Sequence, residues 1–255
     1  MTAPRNARPQ GGGGRKYVWR CSDGSTETFT SVTTILSRVL AKPAIMPWAL
    51  KVAGEYVRDH LPSLQAVHAQ DPDAVVQLVK GAPWSQRDAA AERGTLVHAL
   101  AEAFTLGQTP KVSPQLSGHL AMWQDWVATK HVKFLMAEAT VYSRQMGYAG
   151  TLDTICDTDD GLFLVDYKTG RDVYPEAAFQ LTGYACADFI GLPDGTEQEM
   201  LSVDGLAVVR LAEDDWDMVP VALCPVEWSA ILTLYRASER HDLIGASLGA
   251  RGRML

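Results

Sequence analysis

One stretch of the sequence, residues 150–170, constrains the fold more than any other. It reads GTLDTICDTDDGLFLVDYKTG, in which two apolar, β-branched-rich segments flank a turn signal at 157–161. Such segments, bounded by Asp and Gly, are typical of consecutive strands joined by a tight turn. A third run of the same kind precedes them. The sequence therefore predicts a three-strand meander over 134–143, 150–157 and 161–167.

Segments with a helical period of apolar residues lie on both sides of this meander. Ahead of it, the pattern predicts a hairpin from strands 16–21 and 26–30, and helices at 32–40, 48–60, 72–80, 85–106 and 114–130. Behind it, the pattern predicts a helix over 175–190, strands over 201–211 and 216–223, and a helix over 226–244. This order predicts an α/β fold with a mixed central sheet and an N-terminal helical region packed on it.

The same patterns divide the chain into parts. We predict a Pro/Gly-rich disordered tail over 1–15, the hairpin and helical region over 16–130, the catalytic core over 131–245 and a second tail over 246–255. No apolar run reaches the roughly 20 residues that span a bilayer. The N-terminus lacks the apolar stretch of a signal peptide. We therefore expect a cytoplasmic protein with no membrane partner.

Composition restricts the cofactors and partners. The net charge is −7, and residues 171–255 carry 6 basic and 14 acidic groups, so tight metal-free binding to a polyanion is not expected. The four cysteines are at least 30 residues apart, which is unlike a zinc ribbon or a local iron–sulfur loop. There is no Walker A sequence, and no nucleotide cofactor is expected.

The chemistry of the meander lies in three charged residues. Asp166 and Lys168 are two apart on a predicted strand, so their side chains emerge on one face. An adjacent antiparallel strand can bring Asp153 beside Asp166. Two carboxylates on one face repel unless a cation lies between them, and oxygen ligands suit Mg²⁺ or Mn²⁺. Lys168 can then hold or help deprotonate a water, or stabilise charge on phosphorus, although ordinary ion pairs on a surface strand are the alternative.

Five short motifs occur in a fixed order between about residues 90 and 190. Together they resemble the PD-(D/E)XK nuclease superfamily, in its branch of RecB-like and CRISPR-associated RecB-like exonucleases, and are closest in style to small phage-encoded members. The motifs are Arg93–His98 for the helical G-x-x-x-H element, Glu138 for the acidic residue of the first core strand, Gly150–Asp153 for G-x-x-D, Asp166–Gly170 for D-Y-K-T-G and Gln180–Tyr184 for Q-x-x-x-Y.

The resemblance implies a restriction-endonuclease-like core and a Mg²⁺- or Mn²⁺-dependent deoxyribonuclease. It assigns metal ligation to His98, Asp153, Asp166 and the backbone carbonyl of Tyr167. The catalytic residues would be Lys168, Asp153, Asp166, Gln180 and Tyr184. Many relatives also bind an iron–sulfur cluster through one upstream and three downstream cysteines, but this sequence lacks the downstream triplet, so no cluster is expected.

Other residues of the motifs receive less specific assignments. Gln180 and Tyr184 lie four apart on one helix face, where they would contact the DNA backbone or steady the catalytic groups. Arg171 would meet a DNA phosphate or carry an ordinary surface charge. Glu138 and Glu102 are further candidates for the same centre.

Several functions are compatible with these motifs. The first is an exonuclease that hydrolyses phosphodiester bonds at DNA ends during recombination, repair or phage replication in a bacterial or phage-infected cell. A single-strand annealing or recombinase protein would be its partner. The alternatives are a structure-specific or nicking endonuclease, a non-catalytic DNA-binding subunit and a metal-binding regulatory module.

Overall fold

The computed structural model describes residues 7–10, 14–21, 23–192 and 194–251. For residues 7–10 and 242–251 it describes the backbone alone. The chain divides into two compact units. One combines Met1–Leu40 with Val97–Leu255, and the other is Ala41–Leu96. This division does not coincide with the predicted boundary between residues 130 and 131. All the residues singled out as site candidates belong to the first unit.

The described part of the chain contains six helices and ten strands. The helices are α1 (Val32–Val39), α2 (Ile45–His68), α3 (Pro72–Thr105), α4 (Ser117–Thr129), α5 (Glu176–Ala185) and α6 (Pro225–Arg251). The strands are β1 (Ala7–Gln10), β2 (Gly14–Arg20), β3 (Thr26–Ser31), β4 (Lys133–Ser143), β5 (Tyr148–Thr158), β6 (Gly161–Lys168), β7 (Phe189–Gly191), β8 (Glu197–Glu199), β9 (Gly205–Leu211) and β10 (Trp216–Val221).

The predicted strands and most predicted helices are confirmed, with three corrections. The helices expected at 72–80 and 85–106 are one helix, α3, which continues through Pro83. The helix expected over 175–190 ends at Ala185, because Phe189–Gly191 instead pairs with β4 as β7.

The third correction concerns the tails, where regular structure extends into segments predicted to lack it. Ala7–Gln10 pairs with β2, and α6 continues through Arg251. The rest of both predicted tails, apart from the first residues of β2, lies outside the described residues.

Strand β5 is the centre of a mixed sheet. On one edge it pairs with β4 along most of its length. On the other edge its first residues pair in parallel with β3, and its last residues, 154–158, pair with β6. Within the described residues, segment 150–153 has no strand partner on that second edge, so the sheet forks there. Beyond β6 follow β9, in parallel, and then β10.

Both faces of this sheet are buried, which explains the unbroken apolar run that leads into Asp166. On one face, Leu164 packs in a core with Leu181 of α5 and Trp228 of α6. On the other face, Val165 packs in a core with Trp126 of α4. A strand that is covered on both sides reads as continuously hydrophobic rather than alternating.

Candidate metal centre

The regular alternation of side chains breaks at two facing positions, one on β4 and one on β5. Met136 and Ala139, three residues apart, pack against the same core, and so do Leu152 and Ile155. Residues three apart on a regular strand would face opposite sides. Between them, Glu138 has a left-handed backbone with φ of 48°. The register of the neighbouring pairs places Glu138 directly opposite Asp153.

His98, near the C-terminal end of α3, completes a cluster with these two carboxylates. Its Nδ1 lies 3.3 Å from Oδ1 of Asp153. One potential ligand atom from each of His98, Glu138 and Asp153 lies within 4.8 Å of the other two. The second oxygen of Asp153 accepts a hydrogen bond of 2.6 Å from the backbone amide of Tyr167, which fixes the carboxylate between β5 and β6.

A second group of side chains surrounds Asp166, a residue that is only 1% exposed. The Nζ of Lys168 lies 2.5 Å from Oδ2 of Asp166. This ion pair is the contact of Oδ2, which accepts no hydrogen bond from any other donor among the described residues. Gln180 donates from Nε2 to Oδ1 of Asp166 at 2.8 Å and to the Tyr184 hydroxyl at 3.1 Å.

Proton affinities in the centre are shifted by burial and by neighbouring charges. Burial disfavours the His98 imidazolium, but the Asp153 carboxylate outweighs it and raises the pKa of His98 to about 9. Burial, reinforced by the charge of Asp153, raises the pKa of Glu138 to about 7. Burial also raises the pKa of Asp166. His98 and part of the Glu138 population therefore carry protons at neutral pH, which a bound cation would displace.

These residues fit a divalent cation. One imidazole nitrogen and carboxylate oxygens form a donor set that suits Mn²⁺ and, through the oxygens, Mg²⁺. Carboxylates directly opposite each other on adjacent strands repel when both are ionised. A non-glycine residue with left-handed backbone also costs about 1 kcal/mol or more. A cation between Glu138 and Asp153 would offset both costs.

The structure brings together most residues predicted from the motifs. Asp153 and His98 are in contact, whereas Asp166 lies outside the three-residue cluster. Metal ligation by His98, Asp153, Asp166 and the Tyr167 carbonyl stays a prediction. Glu102 is close enough for its charge to contribute to the raised pKa of Glu138, after burial and Asp153. Arg171 lies in an exposed bend after β6.

The Q-x-x-x-Y residues contact the centre itself. Tyr184 is buried, and its ring lies against Gly150, where an added Cβ would come 2.3 Å from a ring carbon. This contact explains why the first position of the G-x-x-D motif is a glycine, because a larger residue would clash with the ring. Because the Tyr184 hydroxyl bonds Gln180 and Gln180 bonds Asp166, the contacts favour steadying of the catalytic groups over direct contact with DNA.

The motif interpretation missed one charged neighbour of the centre, Arg15 on β2. Its positive charge favours the ionised form of Glu138 and so works against the burial that raises the pKa of that carboxyl. A signal was available in the sequence. The first 20 residues contain five basic side chains and no acidic one, in a chain of net charge −7.

Comparison of the sequence with known protein families and with curated proteins gives no match. The resemblance to RecB-like nucleases therefore rests on the five motifs and stays a prediction. None of the described helices has the length and hydropathy required to cross a membrane.

Proposed function

We propose that this protein is a divalent-metal-dependent deoxyribonuclease that hydrolyses phosphodiester bonds at DNA ends. The observation that carries the proposal is the convergence of five charged side chains at the fork of the sheet. They are His98 from α3, Glu138 from β4, Asp153 from β5, and Asp166 and Lys168 from β6. Segments far apart in sequence supply nitrogen and oxygen donors beside a half-buried lysine, which is a donor set suited to metal-assisted phosphoryl transfer.

Each residue has a role that follows from its contacts. His98, Glu138 and Asp153 would hold the cation, which supplies Lewis-acid chemistry that polarises a phosphoryl oxygen and acidifies water. Burial works to lower the pKa of Lys168, but Asp166 outweighs it and raises that pKa. Lys168 is therefore a cation at neutral pH. It is suited to stabilise negative charge on the phosphoryl group rather than to remove a proton.

Asp166 and Gln180 orient this lysine. Asp166 holds the ammonium through Oδ2, and the Gln180 amide holds Oδ1 of the same carboxylate. Because Gln180 also bonds Tyr184 on the same helix, α5 fixes the carboxylate relative to the sheet. The lysine nitrogen is thus positioned before substrate binds, which lowers the cost of reaching the transition state.

Action at DNA ends rests on the resemblance, as do the roles in recombination, repair or phage replication and an annealing or recombinase partner. The arrangement of these residues at the fork of the sheet is equally compatible with an exonuclease and with an endonuclease. The assay that tests the function therefore has to distinguish ends from internal bonds.

The test uses end-labelled linear duplex and covalently closed circular DNA, each incubated with Mg²⁺, Mn²⁺ or EDTA. We expect degradation of the linear substrate in either metal, no degradation in EDTA and an intact circle. Lys168→Ala is the matched inactive control, since the centre should still bind metal. Nicking of the circle would instead identify an endonuclease. A folded wild-type protein that leaves every substrate intact would contradict the proposal.

A further inference from the structure

Strand β2 begins next to the metal centre and carries an unusual charge. The first 20 residues contain Arg5, Arg8, Arg15, Lys16 and Arg20 and no acidic residue. Of these, Arg15 stands at the end of β2 nearest the fork. Its side chain is exposed, and no hydrogen bond or ion pair engages its guanidinium within the part of the chain that the structure describes.

The backbone of Arg15 is held firmly on the sheet. Its amide donates a 3.0 Å hydrogen bond to Oγ1 of Thr34 in α1. The preceding residue, Gly14, has φ of +83°, and an added Cβ there would lie 2.3 Å from the Thr34 methyl carbon. Glycine is therefore required for this close approach. The anchor fixes where the Arg15 side chain leaves the strand.

The direction of that side chain follows from the alternation of β2. Arg15 shares a face with Tyr17, two residues further on. The Tyr17 hydroxyl lies 3.1 Å from Oγ1 of Thr151, which is itself two residues before Asp153 on β5. The side chains on this face of β2, including that of Arg15, therefore lie on the same face of the sheet as Thr151 and Asp153.

Two other arginines of the same unit form ion pairs within the fold and serve as a comparison for Arg15. Arg144 bonds the carboxylates of Glu27 and Glu197. Arg210 bonds those of Asp215 and Asp217. Their charges are compensated within the fold. Among the residues whose side chains are described, the Arg15 charge has no such partner, although it faces a cluster of carboxylates.

We propose that Arg15 binds a backbone phosphate of the nucleic acid beside the metal centre and holds the strand in position for cleavage. The inference rests on the proposed function and identifies a phosphate-binding group outside the five motifs. A guanidinium can bond two phosphate oxygens at once. The acidic centre and the net charge of −7 repel a phosphate backbone. An arginine at this edge that is not neutralised by a described carboxylate would offset part of that repulsion where the nucleic acid approaches the centre.

The test measures the dissociation constant of a short duplex against salt concentration in Ca²⁺, which occupies oxygen sites and supports little cleavage. Wild type is compared with Arg15→Ala, Arg15→Lys and Arg20→Ala. Arg20 is the matched control, because it is an exposed arginine of the same strand, on the opposite face and about 16 Å away. We expect Arg15→Ala to weaken binding about tenfold and to reduce the salt slope by about 0.9, the contribution of one phosphate contact.

Arg15→Lys should recover part of the affinity, and Arg20→Ala should bind nearly as wild type does. All variants should still bind Mn²⁺ and should retain the wild-type melting temperature. Equal loss in Arg15→Ala and Arg20→Ala would overturn the inference, because it would show only a general charge effect. Wild-type affinity in Arg15→Ala, with cleavage intact, would overturn the inference and leave the proposed function standing. A wild-type protein that neither binds nor cleaves DNA would overturn both.

Discussion

Two charged clusters in this protein differ in how completely their polar atoms are satisfied. In the Arg144 cluster, the guanidinium donates to Oε2 of Glu27 at 2.7 Å and to both oxygens of Glu197 at 2.6 and 2.8 Å. The Trp19 indole adds a bond of 3.1 Å to Glu197, and the guanidinium stacks 4.4 Å above the ring of Phe189. These contacts connect β3, the β4–β5 turn and β8.

The metal centre has the opposite character. It is more deeply buried, yet Glu138 keeps a left-handed backbone and a raised pKa, and, apart from its ion pair with Lys168, Oδ2 of Asp166 accepts no hydrogen bond within the part of the chain that the structure describes. Asp153 and Asp166 have partners in the fold, but no hydrogen bond or ion pair engages the Glu138 carboxyl among the described residues. A strained carboxyl without a partner is costly, which supports the proposal that a ligand completes this group.

The largest expected difference between the clusters is in catalysis. Asp166→Ala and Lys168→Ala should each reduce the rate of DNA hydrolysis by about a thousandfold or more, because each removes preorganised charge at the reacting phosphate. Arg144→Ala should cleave as wild type does, although it removes more hydrogen bonds. The measurement is the initial rate on end-labelled DNA in Mn²⁺, with circular dichroism to verify folding. Normal turnover by either variant would remove the substituted residue from the proposed active site.

A smaller effect concerns pH. The pKa of His98 is about 9 and that of Glu138 about 7 in the metal-free centre, and a cation can bind only when these protons leave. Metal affinity should therefore rise with pH, by about tenfold per unit between the two values and more steeply below the lower one. Calorimetric Mn²⁺ titrations across about pH 6 to 9, in two buffers of different ionisation enthalpy, measure both affinity and proton release. An Mn²⁺ affinity that does not change with pH would mean that no proton competes with the metal for these side chains.

The smallest effect is on stability and has opposite signs in the two clusters. Glu138→Gly relieves the left-handed backbone and the repulsion with Asp153, so we expect the free energy of unfolding in EDTA to rise by about 1 kcal/mol. Arg144→Ala should lower it by about 1–2 kcal/mol, since the lost ion pairs are half exposed and the stacking adds to them. Urea unfolding measures both.

Glu138→Gln is the control for the backbone effect, since it removes the charge and keeps the strained conformation. Its gain in stability should be smaller than that of Glu138→Gly. A loss of stability in Glu138→Gly would show that the carboxylate is a structural group of β4.

The sequence predicted the strands well because their signals are local. Branched and aromatic runs with Asp-Gly turns specify the β4–β5–β6 meander without reference to the rest of the chain, and the α/β class with a mixed sheet is confirmed. Phe189–Gly191 carries no comparable signal. It becomes a strand only because the edge of β4 is available, a tertiary effect that overrides the local helical pattern.

The sequence predicted that β5 brings Asp153 beside Asp166, and the register agrees, because Thr154 pairs with Val165 and the Asp153 carboxylate accepts from the amide of Tyr167. The interrupted alternation at Glu138 and the contact of Asp153 with His98 had no signal in the sequence. No sequence rule locates a left-handed glutamate inside a strand. Arg15 was missed because its importance depends on Gly14 and Thr34 holding β2 against α1, a contact between segments 20 residues apart.

The account depends on the binding of a divalent cation by His98, Glu138 and Asp153. Calorimetric titration with Mn²⁺ near neutral pH tests this binding most directly. Wild type and Arg144→Ala should bind with the same affinity. His98→Ala and Asp153→Asn should each bind at least about tenfold more weakly, while differential scanning calorimetry shows that they remain folded. Wild-type Mn²⁺ affinity in both variants, or no Mn²⁺ binding by the wild-type protein, would contradict the account.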